Sequence, residues 1–359
     1  MKKLAFCIAM VLLTTAGSVL AGTWTVRNLN PTGATESYAW ALTGAQQVGE
    51  AYIGGRSHAG AWSATATSWI DLTPSQAMYS SICAVSGSQK VGYASISGCD
   101  HAGIWSGDAT SWVDLNPYGS AYSYAYGVSD TQQVGYASVR GSDHASIWYG
   151  TATSWVDINP NGAAKSYACA VSGAQQAGYA CINGNNHAGI WTGSAQSWVD
   201  INPAKAAYSS VLATSGGQQA GIASIGGWNH AGIWSGTAGS WVDLNPTGAA
   251  YSAACATTGT RQVGCAMIGG WSRAGMWSGV ASSWTDLSVF LPSGVYDSSY
   301  AESIYTSGDS IWVCGYAHNT AADRNQAVLW TYAVPEPSSL LALLAGMVTV
   351  GGLIRRRTR

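Results

Sequence analysis

Tryptophan recurs at positions 69, 112, 155, 198, 241 and 284, an unbroken interval of 43 residues. A chain with one such marker per interval is an array of a single repeated unit. A period in the forties with four short strand-like runs per unit is the signature of a propeller blade, because one four-stranded sheet cannot bury both its faces alone. The unit beginning at Tyr122 shows the pattern. Its runs are Tyr122 to Ser129, Gln133 to Val139, His144 to Trp148 and Ser154 to Ile158, closed by Asn159-Pro160, where proline ends a ladder for want of an N–H. Links of four to six residues between the runs make successive strands antiparallel neighbours. The Asn-Pro link is the expected crossover, which places the small-residue Tyr-Ala-Val run innermost and the Trp-Val-Asp run outermost.

The short run ending in Trp occurs seven times, at Trp62, Trp105, Trp148, Trp191, Trp234, Trp277 and, after a stretched interval, Trp330. The outer run follows only six of them. A spare copy stands at the start, Thr23 to Pro31, with Leu29-Asn30-Pro31 in phase with Leu115-Asn116-Pro117. The expected fold is therefore an all-β, seven-bladed β-propeller closed by lending residues 23–31 to the last blade. A β-solenoid is the competitor, disfavoured by its shorter coils and its need for capping ends.

The two termini differ from the repeat domain, expected to span residues 22–333. Residues 1–21 have a Lys2-Lys3 start, an apolar run from Leu4 to Leu13 and small residues ending at Ala21, the pattern of a signal peptide cut between Ala21 and Gly22. Residues 334–359 contain Pro335-Glu336-Pro337, an apolar stretch from Leu340 to Ile354, and Arg355-Arg356-Arg357. This tail resembles the PEP-CTERM sorting signal of Gram-negative bacteria. The resemblance implies a transient inner-membrane tether, processing by an exosortase near the Pro-Glu-Pro motif, and transfer to the cell surface or extracellular polymer. Arginines after an apolar span stay cytoplasmic, which puts the rest of the chain outside. The span is short, and a permanent C-terminal transmembrane anchor is the alternative.

Between residues 22 and 334 nine Lys and Arg stand against sixteen Asp and Glu, a formal charge of −7, which argues against nucleic acid as a partner. His101-Ala102-Gly103-Ile104-Trp105, with Gln89 to Gly92 before it and Trp112 to Leu115 after it, resembles the HAF repeat of bacterial secreted proteins. That resemblance implies a propeller-like fold and secretion and implies no activity.

His58, His101, His144, His187 and His230 share one phase, continued by Arg273 and by Asn325 or Gln326; Asp71, Asp114, Asp157, Asp200, Asp243 and Asp286 share another. Equivalent positions on a ring of blades stand too far apart for one metal ion unless they line the axis, so the expected role is structural, with no metal site and no cofactor. The repeated Trp are expected as core, with the polar tip of each buried indole hydrogen-bonded. Cys83, Cys169 and Cys255 share a third phase, two units apart, which reads as inheritance of a two-blade duplication. Cys255 with Cys265, and Cys169 with Cys181, flank hairpin turns and are candidate cross-strand disulfides.

A functional site should break the sevenfold pattern. Arg56, Cys99, Ser142, Asn185, Trp228 and Trp271 are equivalent, so two neighbouring blades carry an indole where others carry small or polar groups. Adjacent exposed indoles match the apolar faces of sugar rings, making Trp228 and Trp271 candidate glycan-binding residues; packing against each other is the alternative. Glu36, Glu50, Glu302, Asp309 and Asp323 are acids outside the repeat. The expected function is a non-enzymatic interaction or matrix protein of the extracellular polysaccharide or biofilm layer. A carbohydrate-active hydrolase or lyase, with non-equivalent carboxylates meeting in the axial channel, is the second reading.

Overall fold

Seven four-stranded antiparallel sheets form the blades of a β-propeller in this computed structural model, which describes residues 22–44 and 46–333. Blade three is representative. Its strands Ser123–Ser129, Gln132–Val139, Ser142–Trp148 and Val156–Asp157 are neighbours in chain order. The first two hairpin links shrink from the expected four to six residues to two, because Asp130, Arg140 and Gly141 take positive φ (44°, 50° and 84°) and turn the chain within the pair, while the third spans residues 149–155. The outer strand is shorter than its Trp-Val-Asp-Ile run suggests. A 3-10 turn, Ala152–Ser154, precedes it, and only Val156 and Asp157 pair with the third strand.

Blade seven confirms the closure expected from the strand count. Its inner strands Tyr296–Ser307, Ser310–Asn319 and Arg324–Ala333 are completed on the outside by Thr23–Asn28. The bond from the Leu29 amide to the Ala327 carbonyl, 2.8 Å, continues that pairing. Among the described residues no helix is long and apolar enough to cross a membrane. The expected leader, residues 1–21, and the sorting motif with its arginines, residues 334–359, lie outside the described residues.

The core lies between blades. Trp105 is fully buried among Val48, Ala59 and Leu72 of blade one and Ile82 of its own blade, and its counterparts repeat the arrangement around the ring. The periodic Trp112 is half-buried and packs on Trp105 with ring centroids 4.5 Å apart. Gly103 makes this fit possible: a Cβ there would lie 1.7 Å from the Trp112 ring. Blade three carries Ser146 instead, and its hydroxyl accepts the Trp155 indole N–H at 2.8 Å. The indole tips of Trp105 and Trp330 donate to the carbonyls of Leu72 and Leu287. Those of Trp62, Trp148, Trp191, Trp234 and Trp277 are buried without a partner, contrary to expectation; burial of the large ring outweighs the unmade bond.

Candidate functional site

The repeated polar residues are consumed by the architecture. In blade two, His101 Nδ1 meets Asp114 Oδ2 at 2.7 Å, and Asp114 Oδ1 accepts the Asn116 amide. Asn116 Oδ1 accepts the Ser123 hydroxyl of blade three, and Ser123 Oγ accepts the buried Ala102 amide of blade two. Each blade is thereby latched to the next. Arg273 replaces His in blade six and pairs with Asp286 at 3.0 Å. Among the described residues no group of three His, Cys, Asp or Glu is placed to hold a metal ion.

Trp228 and Trp271 open the third strands of blades five and six, 61% and 51% exposed, and form no ring pair with each other among the described residues. The candidate disulfides are absent. Cys169, Cys181, Cys255 and Cys265 are free thiols. Register explains the first pair: Cys169 sits in the bulge facing Gly178 and Ala177, whereas Cys181 lies at the far end of the second strand beside Asn186. Cys265 is paired with Ala253, and Cys255 occupies the next bulge along the strand.

That bulge is the departure from symmetry that the repeated pattern conceals. Each innermost strand slips register by one residue, between Ala39 and Ala41 in blade one, Ile82 and Ala84 in blade two, and onward to Ala301 and Ser303 in blade seven. The residue left unpaired is aimed off the sheet edge. In order these residues are Trp40, Cys83, Tyr126, Cys169, Leu212, Cys255 and Glu302, and all seven line one cavity of about 570 Å3. One residue from the same position of every blade meets its fellows only on the ring axis, so the cavity is the axial channel. The sequence phase of Cys83, Cys169 and Cys255 therefore marks a lining position. Four additional residues in the last unit shift Glu302 out of the 43-residue register and hide it from the count.

Glu50, Tyr93 and Tyr179 reach the channel from second strands, and Ser81 and Tyr124 from inner ones. Two of the acids outside the repeat, Glu50 and Glu302, thus share one cavity. Glu302 is half-buried on the channel wall. Burial pushes its carboxyl up to about 7, opposed by a hydrogen bond with the Cys255 thiol. Burial also raises Glu50, opposed by hydrogen bonds with Ser57, Ser81 and Trp40. Cys83 and Cys169 are pushed up to about 12 by burial and are neutral thiols, unsuited to nucleophilic attack. No Lys, Arg or His is among the described residues lining this channel.

Neither a protein-family model nor a curated protein matches the sequence. Solved structures match in fold. A puromycin hydrolase aligns with a TM-score of 0.56 at 10% identity over 84% of this chain and 56% of its own. The chain thus spans little more than half of that enzyme. The β-propeller domain of the Trilobed protease from Pyrococcus furiosus aligns with a TM-score of 0.51 at 8% identity, over 85% and 95%. The structure of YCF48 bound to D1 peptide aligns with a TM-score of 0.51 at 12% identity, over 88% and 96%. At such identities the likeness is one of fold alone.

Proposed function

We propose that this chain is an exported propeller of the cell surface or extracellular polysaccharide layer that binds a glycan in its axial channel without transforming it. The observation that carries this reading is the bulge ring. The latching and packing positions keep nearly the same residue around the ring, while the bulge position, which lines the channel in every blade, holds Trp, Cys, Tyr, Leu and Glu. Stability alone does not require such variety. Indole and phenol faces with a few polar groups between them match the alternating apolar and hydroxyl surfaces of a sugar. Trp228 and Trp271 offer a second, shallower contact at the rim of two adjacent blades. Export rests on the resemblance of residues 1–21 to a leader and of 334–359 to the PEP-CTERM signal, with an exosortase as processing partner.

Binding of the mature chain to a panel of surface polysaccharides tests this. Trp40→Ala is expected to weaken retention by about tenfold, the scale of one aromatic contact. Retention unchanged by Trp40→Ala and lost with Trp228→Ala/Trp271→Ala would move the site to the rim. Absence of binding in every polymer would leave a scaffold.

Two non-equivalent carboxylates in one cavity favour a second reading, a polysaccharide hydrolase or lyase. Glu302, part-protonated at neutral pH, would serve as general acid and Glu50 as the second carboxyl. Release of reducing ends that disappears with Glu302→Gln and Glu50→Gln would establish it.

A further inference from the structure

The lining of the axial channel is unbalanced in charge, and this deepens the reading above, on which it rests, by specifying the glycan. Glu302 of blade seven and Trp40 of blade one occupy the same bulge on neighbouring blades. Glu50, on the second strand of blade one, hydrogen-bonds Trp40 and lines the same cavity. Two carboxyls and an indole therefore line one channel where the ring closes, Glu50 hydrogen-bonded with Trp40 and Glu302 with Cys255. One neighbour of that indole is Tyr38, stacked at 5.2 Å between centroids and nearly coplanar, and another is Tyr316, edge-on at 5.7 Å. Nothing basic among the described lining residues offsets the acids. The charged groups nearby are mostly acidic too: Asp100 accepts the Tyr79 and Tyr124 hydroxyls, and Asp143 those of Tyr122 and Tyr167. Lys165 lies over the Tyr167 ring at 5.9 Å.

A neutral sugar offers these carboxyls hydroxyl hydrogen bonds but no compensating charge. An ammonium group supplies that charge: it pairs with the carboxylates and is attracted to the ring faces, an interaction strengthened by desolvation. We propose that the axial channel selects a glycan carrying free amino groups, an amino sugar whose protonated amine seats between Glu302, Glu50 and Trp40. As the protonated amine arrives the Glu302 carboxyl gives its proton to solvent, so the added cation is matched by one new carboxylate; Glu50 also lines an adjoining pocket with Arg56. The arrangement also accounts for Glu302 itself, whose burial on the channel wall is otherwise a cost to the fold.

Titration calorimetry at pH 6.5 with a glucosamine tetramer and with its fully N-acetylated counterpart is the test, since the two differ only in charge and the acetyl groups. The charged tetramer is expected to bind at least about tenfold more tightly, and Glu302→Gln is expected to reduce that preference to near unity. Cooperative unfolding of Glu302→Gln and a circular-dichroism spectrum matching wild type certify the fold. Equal or tighter binding of the N-acetylated tetramer, sensitive to Trp40→Ala, would overturn the charge proposal and leave the glycan channel standing. Binding of the charged tetramer that ignores both Glu302→Gln and Trp40→Ala places it elsewhere and overturns the proposal. Silence with both tetramers and with the polysaccharide panel would remove the two readings together.

Discussion

Asn28 donates its side-chain amide to Gln326 Oε1 at 2.7 Å, joining residues 298 apart in sequence. The same two positions in blades one to five hold Asp and His, as in His58 with Asp71 at 2.7 Å. Around them the closing seam copies the latch of the other blades: Asn28 Oδ1 accepts the Asn30 amide, Ser37 donates to Asn30, and the Ala327 amide donates to Ser37. The seam where the chain's two ends meet is therefore built like any other blade boundary, with a neutral pair in place of the imidazole and carboxylate. Replacing Asn28 with Leu removes that pair and the Asn30 contact. A loss of about 1–3 kcal/mol is expected, read as a lower denaturant midpoint and earlier proteolytic cutting near the N-terminal strand.

The Ser123 hydroxyl is the sole side-chain acceptor shown for the buried Ala102 amide. Ser123→Ala leaves that donor unsatisfied at the boundary of blades two and three, at an expected cost of about 1–3 kcal/mol in chemical denaturation. Ser123→Thr, which keeps an acceptor, should recover part of it.

Gly103 lies under the Trp112 ring with no room for a side chain. Gly103→Val should displace the indole and cost about 1–3 kcal/mol, seen as a lower melting temperature and altered tryptophan fluorescence. Gly103→Ser should cost less, because Ser146 in blade three already accepts an indole N–H from this position.

Glu302 sets a pH dependence whose sign is fixed by its burial. Its folded pKa, about 7, lies above the 4.5 of an unhindered carboxyl, so the folded protein holds the proton more tightly than the unfolded chain. The stability this gives is fully present below pH 4.5 and is lost as pH rises through 7. The interval corresponds to about 3 kcal/mol at most. Glu302→Gln should flatten the melting temperature between pH 5 and 8, by roughly a few degrees at the upper end. An unchanged slope in the variant would show that the carboxyl ionises freely in the channel.

Trp228 and Trp271 stand more than half exposed at the start of their strands. Trp228→Ala and Trp271→Ala should each change stability by no more than about 0.5 kcal/mol. A larger loss would mean that these indoles hold the fold together.

The strand count, the blade number and the lending of residues 23–31 to the last blade were legible in the sequence, because each repeat must bury the same face and so writes the same residues at the same spacing. The structural role of His101 and Asp114 was legible for a related reason: equivalents that sit away from the axis of a ring stand too far apart to share one ion. Hairpin length was not, since Arg140 at φ 50° is tolerated only once neighbouring strands fix the pairing. The channel was hidden for a similar reason. Trp40 and Cys83 share the repeat phase but not their chemistry, Glu302 lies out of phase, and the bulge that brings them to one channel exists only in the paired sheet.

The sequence by itself determined a ring of seven like units and where that ring closes, because periodic burial leaves a periodic imprint. Only the tertiary structure decided which residues face the axis. A bulge is a property of two strands in register, and seven of them meet in one channel only when the circle is complete.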